Sequence, residues 1–285
     1  SPLDRSSAAS DVYKRQGVLQ ALVDRAVLKE PLVLYKYRGA SSQDDIAKLR
    51  DILIRNRIWF ATPLSFNDPF DCFPAPVITG SPDQRRRALS ASFYQSGLGS
   101  GRKERRKRAK EVSAMKDTDE LTDLLEAGLQ QTLSKTCALS MSEKWDSLLM
   151  WSHYAQAHAG VCIELNRWKP ESIITTSLPV HYDQDRPVVD VLFDTGDAKV
   201  VKALYTKSSV WEYEAEWRAV IHEPEGLKAL PQGVVSRVIL GAAMNPLYRA
   251  EVLKLCDEAG IGCAQATFHR RRWELELQDP RLHDF

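Results

Sequence analysis

Three short blocks of the chain carry residue types that can do chemistry. The first pairs YKYR (Tyr35 to Arg38) with FNDPFD (Phe66 to Asp71). Read as a strand, YKYR places Tyr35 and Tyr37 on one face and Lys36 and Arg38 on the other. That suits either an edge strand with a solvated basic face or recognition of an anion or ribose through the planar fork of Arg38. In FNDPFD, Pro69 pushes Asp68 out of the helical region. Phe66 and Phe70 bracket the turn, as anchors of a pinned loop would. Asn67, Asp68 and Asp71 are then free to cap a helix or hold a ligand.

The second block, ALSMSEKWDSLLMWSHYAQAHAGVCIEL, runs from Ala138 to Leu165. Ser140 and Ser142 share one face of a strand. Trp145, Leu148, Leu149 and Ser152 recur at helical spacing and read as a buried stripe. His153 and His158 lie five apart, roughly 140° around a helix. They cannot chelate one metal as an i, i+4 pair would, so each is either a hydrogen-bonded structural group or a catalyst. Gly160 lets the chain turn into the next strand. The third block is WEYEAEWR, Trp211 to Arg218. As a strand it packs Trp211, Tyr213, Ala215 and Trp217 and turns Glu212, Glu214, Glu216 and Arg218 the other way. Three carboxylates on one face repel unless exposed or given a cationic partner. The block is therefore a solvated charged face or a Glu-x-Glu site pair.

The elements that must position these blocks follow from periodicity and turn signals. Strands are predicted at Leu32 to Tyr37, Ile58 to Ala61, Thr136 to Met141, Gly160 to Leu165, Trp211 to Ile221, Val234 to Leu240, Cys263 to Phe268 and Trp273 to Leu277. Short strands in PVHY and VVDVLF precede a helical stretch from Asp197 to Lys207. Helices are predicted at Val18 to Lys29, at Gln43 to Asn56 behind an N-cap at Ser42, at Trp145 to Ala157, and at Leu247 to Ala259. The last is opened by Asn245 and Pro246 and closed by Gly260. Residues Pro82 to Leu133 read as a charged helical insertion or lid, broken by SGLGSG (Ser96 to Gly101). The fold class expected is α+β: a mixed, largely antiparallel central sheet with flanking helices and this insertion. The first sixteen residues are polar and without periodicity. They read as adaptor or vector read-through, leaving one domain from residue 17 to 285.

Composition narrows the classes. The 285 residues are 44% hydrophobic and 27% charged, with a formal net charge of +1. No global field favours nucleic acid or a membrane, and no run of about 18 apolar residues exists to span a bilayer. Five cysteines, odd in number and without a C-x-x-C, argue against a disulfide framework or structural zinc. They suit buried thiols in a reducing compartment, so a cytoplasmic protein is expected. Locally the charge is uneven: ten Lys or Arg stand against one Glu between Arg85 and Lys110.

Taken in order, YKYR, IWFATPLSFNDPFD, LSMSEKWDSLLMWSHYAQAHAGVCIEL and WEYEAEWR resemble the DUF2971 family of bacterial proteins, from about Leu34 to Leu240. The family name declares no reaction. A remoter resemblance is to ADP-ribosyltransferases of the Arg/Ser-x-Ser/Glu-x-Glu type, carried by Arg38, Ser140-Met141-Ser142 and Glu214-Ala215-Glu216 in that order. That resemblance implies NAD as cofactor and a toxin or phage-defence setting. It assigns Glu216 to the developing ribose charge, Glu214 to the acceptor, and Arg38 to a phosphate or ribose. The candidate catalytic set is then Glu216, Glu214, His153 and Tyr154. Arg38, Tyr35, Tyr37, Ser140, Ser142, Asn67 and Asp68 are the candidates for binding a nucleotide-like molecule, with no metal.

Two alternatives stand beside an NAD-using enzyme. Asp68, Asp71, His153, His158, Glu214 and Glu216 could converge as Mg or Mn ligands of a hydrolase or nuclease. Or the chain is a sensor whose Arg85 to Lys110 segment touches nucleic acid or an acidic partner. Every enzymatic reading assumes that the three blocks meet.

Overall fold

The computed structural model describes residues 31–95, 101–114 and 119–283. The expected first helix, the first sixteen residues read as adaptor or vector read-through, and most of the Gly/Ser break lie outside them. Fourteen strands are described: β1 (Val33–Arg38), β2 (Arg57–Phe60), β3 (Ala75–Val77), β4 (Cys137–Ser142), β5 (Val161–Asn166), β6 (Leu178–Pro179), β7 (His181–Asp183), β8 (Val188–Asp190), β9 (Thr206–Ser208), β10 (Glu216–Ile221), β11 (Gly226–Ala229), β12 (Val235–Leu240), β13 (Gly262–Phe268) and β14 (Leu275–Gln278). The helices are α1 (Gln43–Leu53), α2 (Pro82–Gln95), α3 (Arg102–Ala114), α4 (Asp119–Leu133), α5 (Leu148–Tyr154), α6 (Gly196–Leu204) and α7 (Pro246–Ala259).

Eight strands form one sheet in the order β14-β13-β12-β5-β1-β4-β10-β6. Its neighbours pair antiparallel except β12 and β13, which run parallel across the α7 crossover, as a parallel pair requires. The fold is thus α+β with a mixed, mostly antiparallel sheet. The caps read from sequence are in place. Ser42 Oγ accepts the Asp45 N–H, Asn245 accepts that of Leu247, and Gly260 closes α7 at φ 67°.

The two faces of the sheet differ. Leu34, Leu139, Met141, Ile163 and Trp217 point into the main core beneath α1 and α7. Opposite them, Tyr35, Tyr37 and Cys162 pack with Met150 and Trp151 of α5. Farther along that second face, Ser140, Ser142, Glu216 and Arg218 stand where apolar side chains would be expected. β1 is therefore an interior strand, not an edge, and its tyrosines pack while Lys36 and Arg38 take the other face.

The sheet is open in its middle. β1 pairs with β5 from Val33 to Arg38, and β4 pairs with β10 along its length, from Cys137 opposite Ile221 to Ser142 opposite Glu216. Between β1 and β4 the shared register is a single pair, Tyr35 and Ser142. β1 then peels away, and Ala61 bridges to Ala138 at the other end of β4. Lys36 enters the wedge so formed and donates from Nζ to the Ser140 carbonyl at 2.7 Å. A ladder acceptor left open by the split is satisfied by a side chain.

Several expectations are corrected. The predicted strand Trp211 to Ile221 begins at Glu216. Ser209–Glu214 is a 3-10 helix, and Ala215 sits in the left-handed region at φ 44°. The predicted helix Trp145 to Ala157 spans Leu148–Tyr154 behind an Ser147 cap, because Gln156, Ala157 and His158 all take positive φ. Its buried residues are Met150 and Trp151, whereas Leu149 is exposed. Phe70 is exposed, with the Arg186 guanidinium 5.8 Å from its ring centre, whereas Phe66 packs beneath the loop. Gly160 acts by close approach: a Cβ there would meet the Arg38 carbonyl at 2.1 Å.

Candidate active site in the split sheet

The three blocks meet where the sheet opens. A cleft of about 250 Å³ is lined by Tyr35, Lys36 and Tyr37, by Asn67 and Asp71, by Ser140 and Ser142, and by Tyr154, Lys207, Glu214 and Glu216. Of the eleven sequence candidates, Arg38, Asp68 and His153 stand outside this lining.

Four ionisable groups at its floor, Asp71, Lys207, Glu214 and Glu216, form one network with Arg218 beneath them. Lys207, on β9, donates from Nζ to Glu214 Oε2 at 2.6 Å and to Glu216 Oε2 at 3.1 Å. It also lies 3.2 Å from Asp71 Oδ2. Arg218 grips Asp71 through Nη2 at 2.8 and 2.7 Å. Its Nε donates to Glu216 Oε1 at 2.6 Å, and Nη1 donates to Cys72 Sγ and the Leu204 carbonyl. All five groups are buried. Three carboxylates against two cations leave one negative charge, which Lys36 in the wedge can balance.

Local backbone explains how Glu214 and Glu216 share one ammonium. On a regular strand, residues i and i+2 lie nearly 7 Å apart along one face. The left-handed Ala215 folds the chain between them, and Ser142 Oγ locks that turn by donating to the Glu214 carbonyl at 2.6 Å. Glu216 in turn donates its N–H to Tyr182 Oη at 2.8 Å. Non-glycine residues in this region are uncommon and are held by their surroundings.

The two carboxylates are pushed apart. Burial alone would raise Glu216, but Arg218 and Lys207 outweigh it and hold the carboxyl well below the usual range. For Glu214 burial prevails over the attraction of Lys207, and the carboxyl is raised. Burial likewise opposes the Lys207 charge, but Glu216 and Asp71 keep the ammonium protonated. Lys36 is the reverse case: burial, with Arg38 beside it, lowers the ammonium to about 7.

The remaining candidates have distinct places. Tyr154 Oη donates to Glu214 Oε1 at 2.6 Å and accepts from Asn67 Nδ2 at 3.2 Å. Asp68 accepts from the Phe70 N–H at 2.9 Å and from Trp211 Nε1 at 2.7 Å, so it pins the loop. His153 Nδ1 lies 2.8 Å from Tyr213 Oη on the exposed flank of α5. His158 stacks on Trp151 away from the cleft, so the two histidines do not converge. Asp71, Glu214 and Glu216 meet around two cations rather than around space for another. Among the described residues no group of three or more His, Cys, Asp and Glu is arranged to hold a metal ion. Arg38 has its Nε buried and without a partner among the described residues.

Sequence reasoning missed Lys36 and Lys207 as members of the cleft. A signal existed for Lys207, because clustered carboxylates require a cation. No local signal exists for Lys36, whose role depends on the split.

A family model described as a protein of unknown function (DUF2971) matches residues 150–219. That stretch runs from α5 into β10 and includes Tyr154, Lys207, Glu214, Glu216 and Arg218. It supports the resemblance over a narrower span than the motifs suggest, with YKYR and FNDPFD outside it. No curated protein and no solved structure matches the chain. Among the described residues no helix is long and apolar enough to cross a membrane.

Proposed function

We propose that the cleft is the active site of an NAD-dependent ADP-ribosyltransferase-like enzyme. The observation that carries this reading is the pair of adjacent carboxylates whose proton affinities are driven in opposite directions. Glu216 is kept ionised by Arg218 and Lys207, while Glu214 is raised by burial. Pairs pushed apart in this way mark an electrostatic stabiliser beside a proton carrier.

In the reaction, the bond between the ribose C1′ and the nicotinamide nitrogen breaks. Its electron pair leaves with nicotinamide, and positive charge develops on the ribose. Glu216 faces that charge as a fixed anion, as carboxylates do in glycosidases. An acceptor oxygen or nitrogen then attacks C1′ and its proton passes to Glu214, whose raised affinity suits a base. Tyr154 and Lys207 fix the Glu214 oxygens. The cleft's size suits the nicotinamide-ribose end of the dinucleotide. Arg38, whose buried Nε has no partner among the described residues, lies on the strand that opens the wedge and is the proposed holder of a phosphate. The basic helices α2 and α3, with residues between Arg85 and Lys110, are the proposed contact for a nucleic acid or acidic acceptor.

The test follows released nicotinamide and melting temperature with and without NAD. Wild type is expected to be stabilised and to release nicotinamide. Glu216→Gln is expected to abolish release, but it also strips a partner from two buried cations and lowers stability. Tyr154→Phe is therefore run in parallel, since it leaves the ion network intact and should still bind NAD while turning over more slowly. Neither stabilisation nor nicotinamide in wild type would end this reading.

A further inference from the structure

A second polar site lies at the other end of α5, which contributes Met150 and Tyr154 to the cleft and Leu148 to this one. Between β13 and β14 the chain runs FHRRRW, Phe268 to Trp273. The turn is built rather than loose. His269 Nδ1 accepts the backbone N–H groups of Arg271 and Arg272 at 3.0 and 2.9 Å. The His269 N–H donates to the Glu274 carbonyl at 3.0 Å.

This geometry turns three guanidinium groups toward solvent. Arg272 pairs with Glu274 at 3.3 Å. Among the described residues, Arg270 and Arg271 have no acidic partner within ion-pair distance. Trp273 is 93% exposed and Phe268 56% exposed, so the tryptophan contributes almost no buried area to the fold. Beside them is a recess of about 500 Å³ lined by Leu148, His158 and Phe268 as well as by the arginines. The His158 and Phe268 rings stand 5.2 Å apart, tilted by 57°.

We propose that this turn and recess bind single-stranded nucleic acid. Exposed arginines beside aromatic faces are the two parts such binding needs: cations along the phosphates and rings on which bases stack. The aromatic surface requires an unstacked base, which a duplex does not offer. The recess gives a base a place that a lipid bilayer would leave unfilled. The proposal does not rest on the transferase reading, and its variants lie outside the cleft.

The experiment measures fluorescence anisotropy of labelled 12-mer oligouridylate and oligothymidylate with the full chain. With three arginines engaged, affinity should fall roughly 20-fold between about 50 and 200 mM salt. Trp273→Ala should weaken binding about tenfold, and Arg270→Ala/Arg271→Ala should flatten the salt dependence, with melting temperature unchanged in each. Vesicles containing phosphatidylserine are the comparison. Binding to vesicles without binding to either oligonucleotide overturns the proposal in favour of a lipid surface. Oligonucleotide binding that ignores all three substitutions overturns it too, by placing the contact elsewhere, for instance on α3. No binding of either oligonucleotide at low salt also overturns it.

Discussion

The cations under the cleft and those on the β13–β14 turn are the same residue types under opposite solvation. The Lys207 and Arg218 side chains are 4% and 0% exposed, while Arg270 and Arg271 stand in water. A buried guanidinium loses its hydration, and its five N–H groups must be met from within the protein. Arg218 meets that demand with Asp71, Glu216, Cys72 and the Leu204 carbonyl. The exposed pair faces no such demand, so its donors remain available for something else. The cleft's charges are thus fixed and oriented, as a site that stabilises a transition state requires. The turn's charges are free, as a contact that forms on encounter requires.

The sharpest way to break this comparison is Arg218→Met. It removes the cation and leaves Asp71 and Glu216 buried against Lys207 alone. The expected cost is about 3–5 kcal/mol, read from urea denaturation followed by circular dichroism. A loss below about 1 kcal/mol would mean that the network is hydrated and that its apparent order does not hold the fold.

Next in size is the pH dependence of Lys36. Its folded value of about 7 lies below that of a lysine in the unfolded chain. Between those two values the unfolded chain binds the extra proton, so this site's contribution to stability rises with pH. Lys36→Met removes the penalty. The stability of the variant relative to wild type should be most favourable near pH 6 and should fall as pH rises towards about 10. A difference that stays constant over that range would show that the ammonium is fully charged and solvated.

Much of this arrangement can be read from local pattern, and the part that cannot is specific. Alternation in YKYR and Ser-x-Ser places each side chain on its face, because strand periodicity is local. The strand prediction through WEYEAEWR fails at Ala215. Nothing in that residue type announces a left-handed backbone; the turn is imposed by Ser142 and by the need to bring two carboxylates to Lys207. The helix prediction through Ala157 fails for a similar reason. Gln156 gives up helical geometry to accept the Ala40 N–H at 3.0 Å and to donate to Asp45, tying the turn to the start of α1. The wedge that admits Lys36 is a property of two strands parting, so no window of sequence contains it. FHRRRW is legible as a basic, aromatic run, but its meaning depends on how exposed the fold leaves it.

Tyr154→Phe probes the network at its rim and should act more gently. One hydrogen bond to a charged group is lost, about 1.5 kcal/mol. The sign of its effect on chemistry is fixed by the bond itself. Donation from Tyr154 lowers the Glu214 carboxyl against the larger effect of burial. Without it the carboxyl rises further, so the acid limb of nicotinamide release should move to higher pH. A limb that moves down, or that is unchanged while turnover falls, would assign the proton to another group.

The smallest expected effect belongs to the exposed side of the comparison. Arg270→Ala/Arg271→Ala should change stability by no more than about 0.5 kcal/mol in urea denaturation. The backbone of the turn is held by His269, whose bonds do not involve either side chain, so the fold has no use for the two guanidinium groups. A destabilisation approaching that of Arg218→Met would mean that these arginines hold the hairpin together, and the contrast between fixed and free charge would collapse. A near-zero change, combined with weakened nucleic-acid binding, would separate the two kinds of cation by what each one does: one set holds the cleft's carboxylates in place, and the other meets a partner.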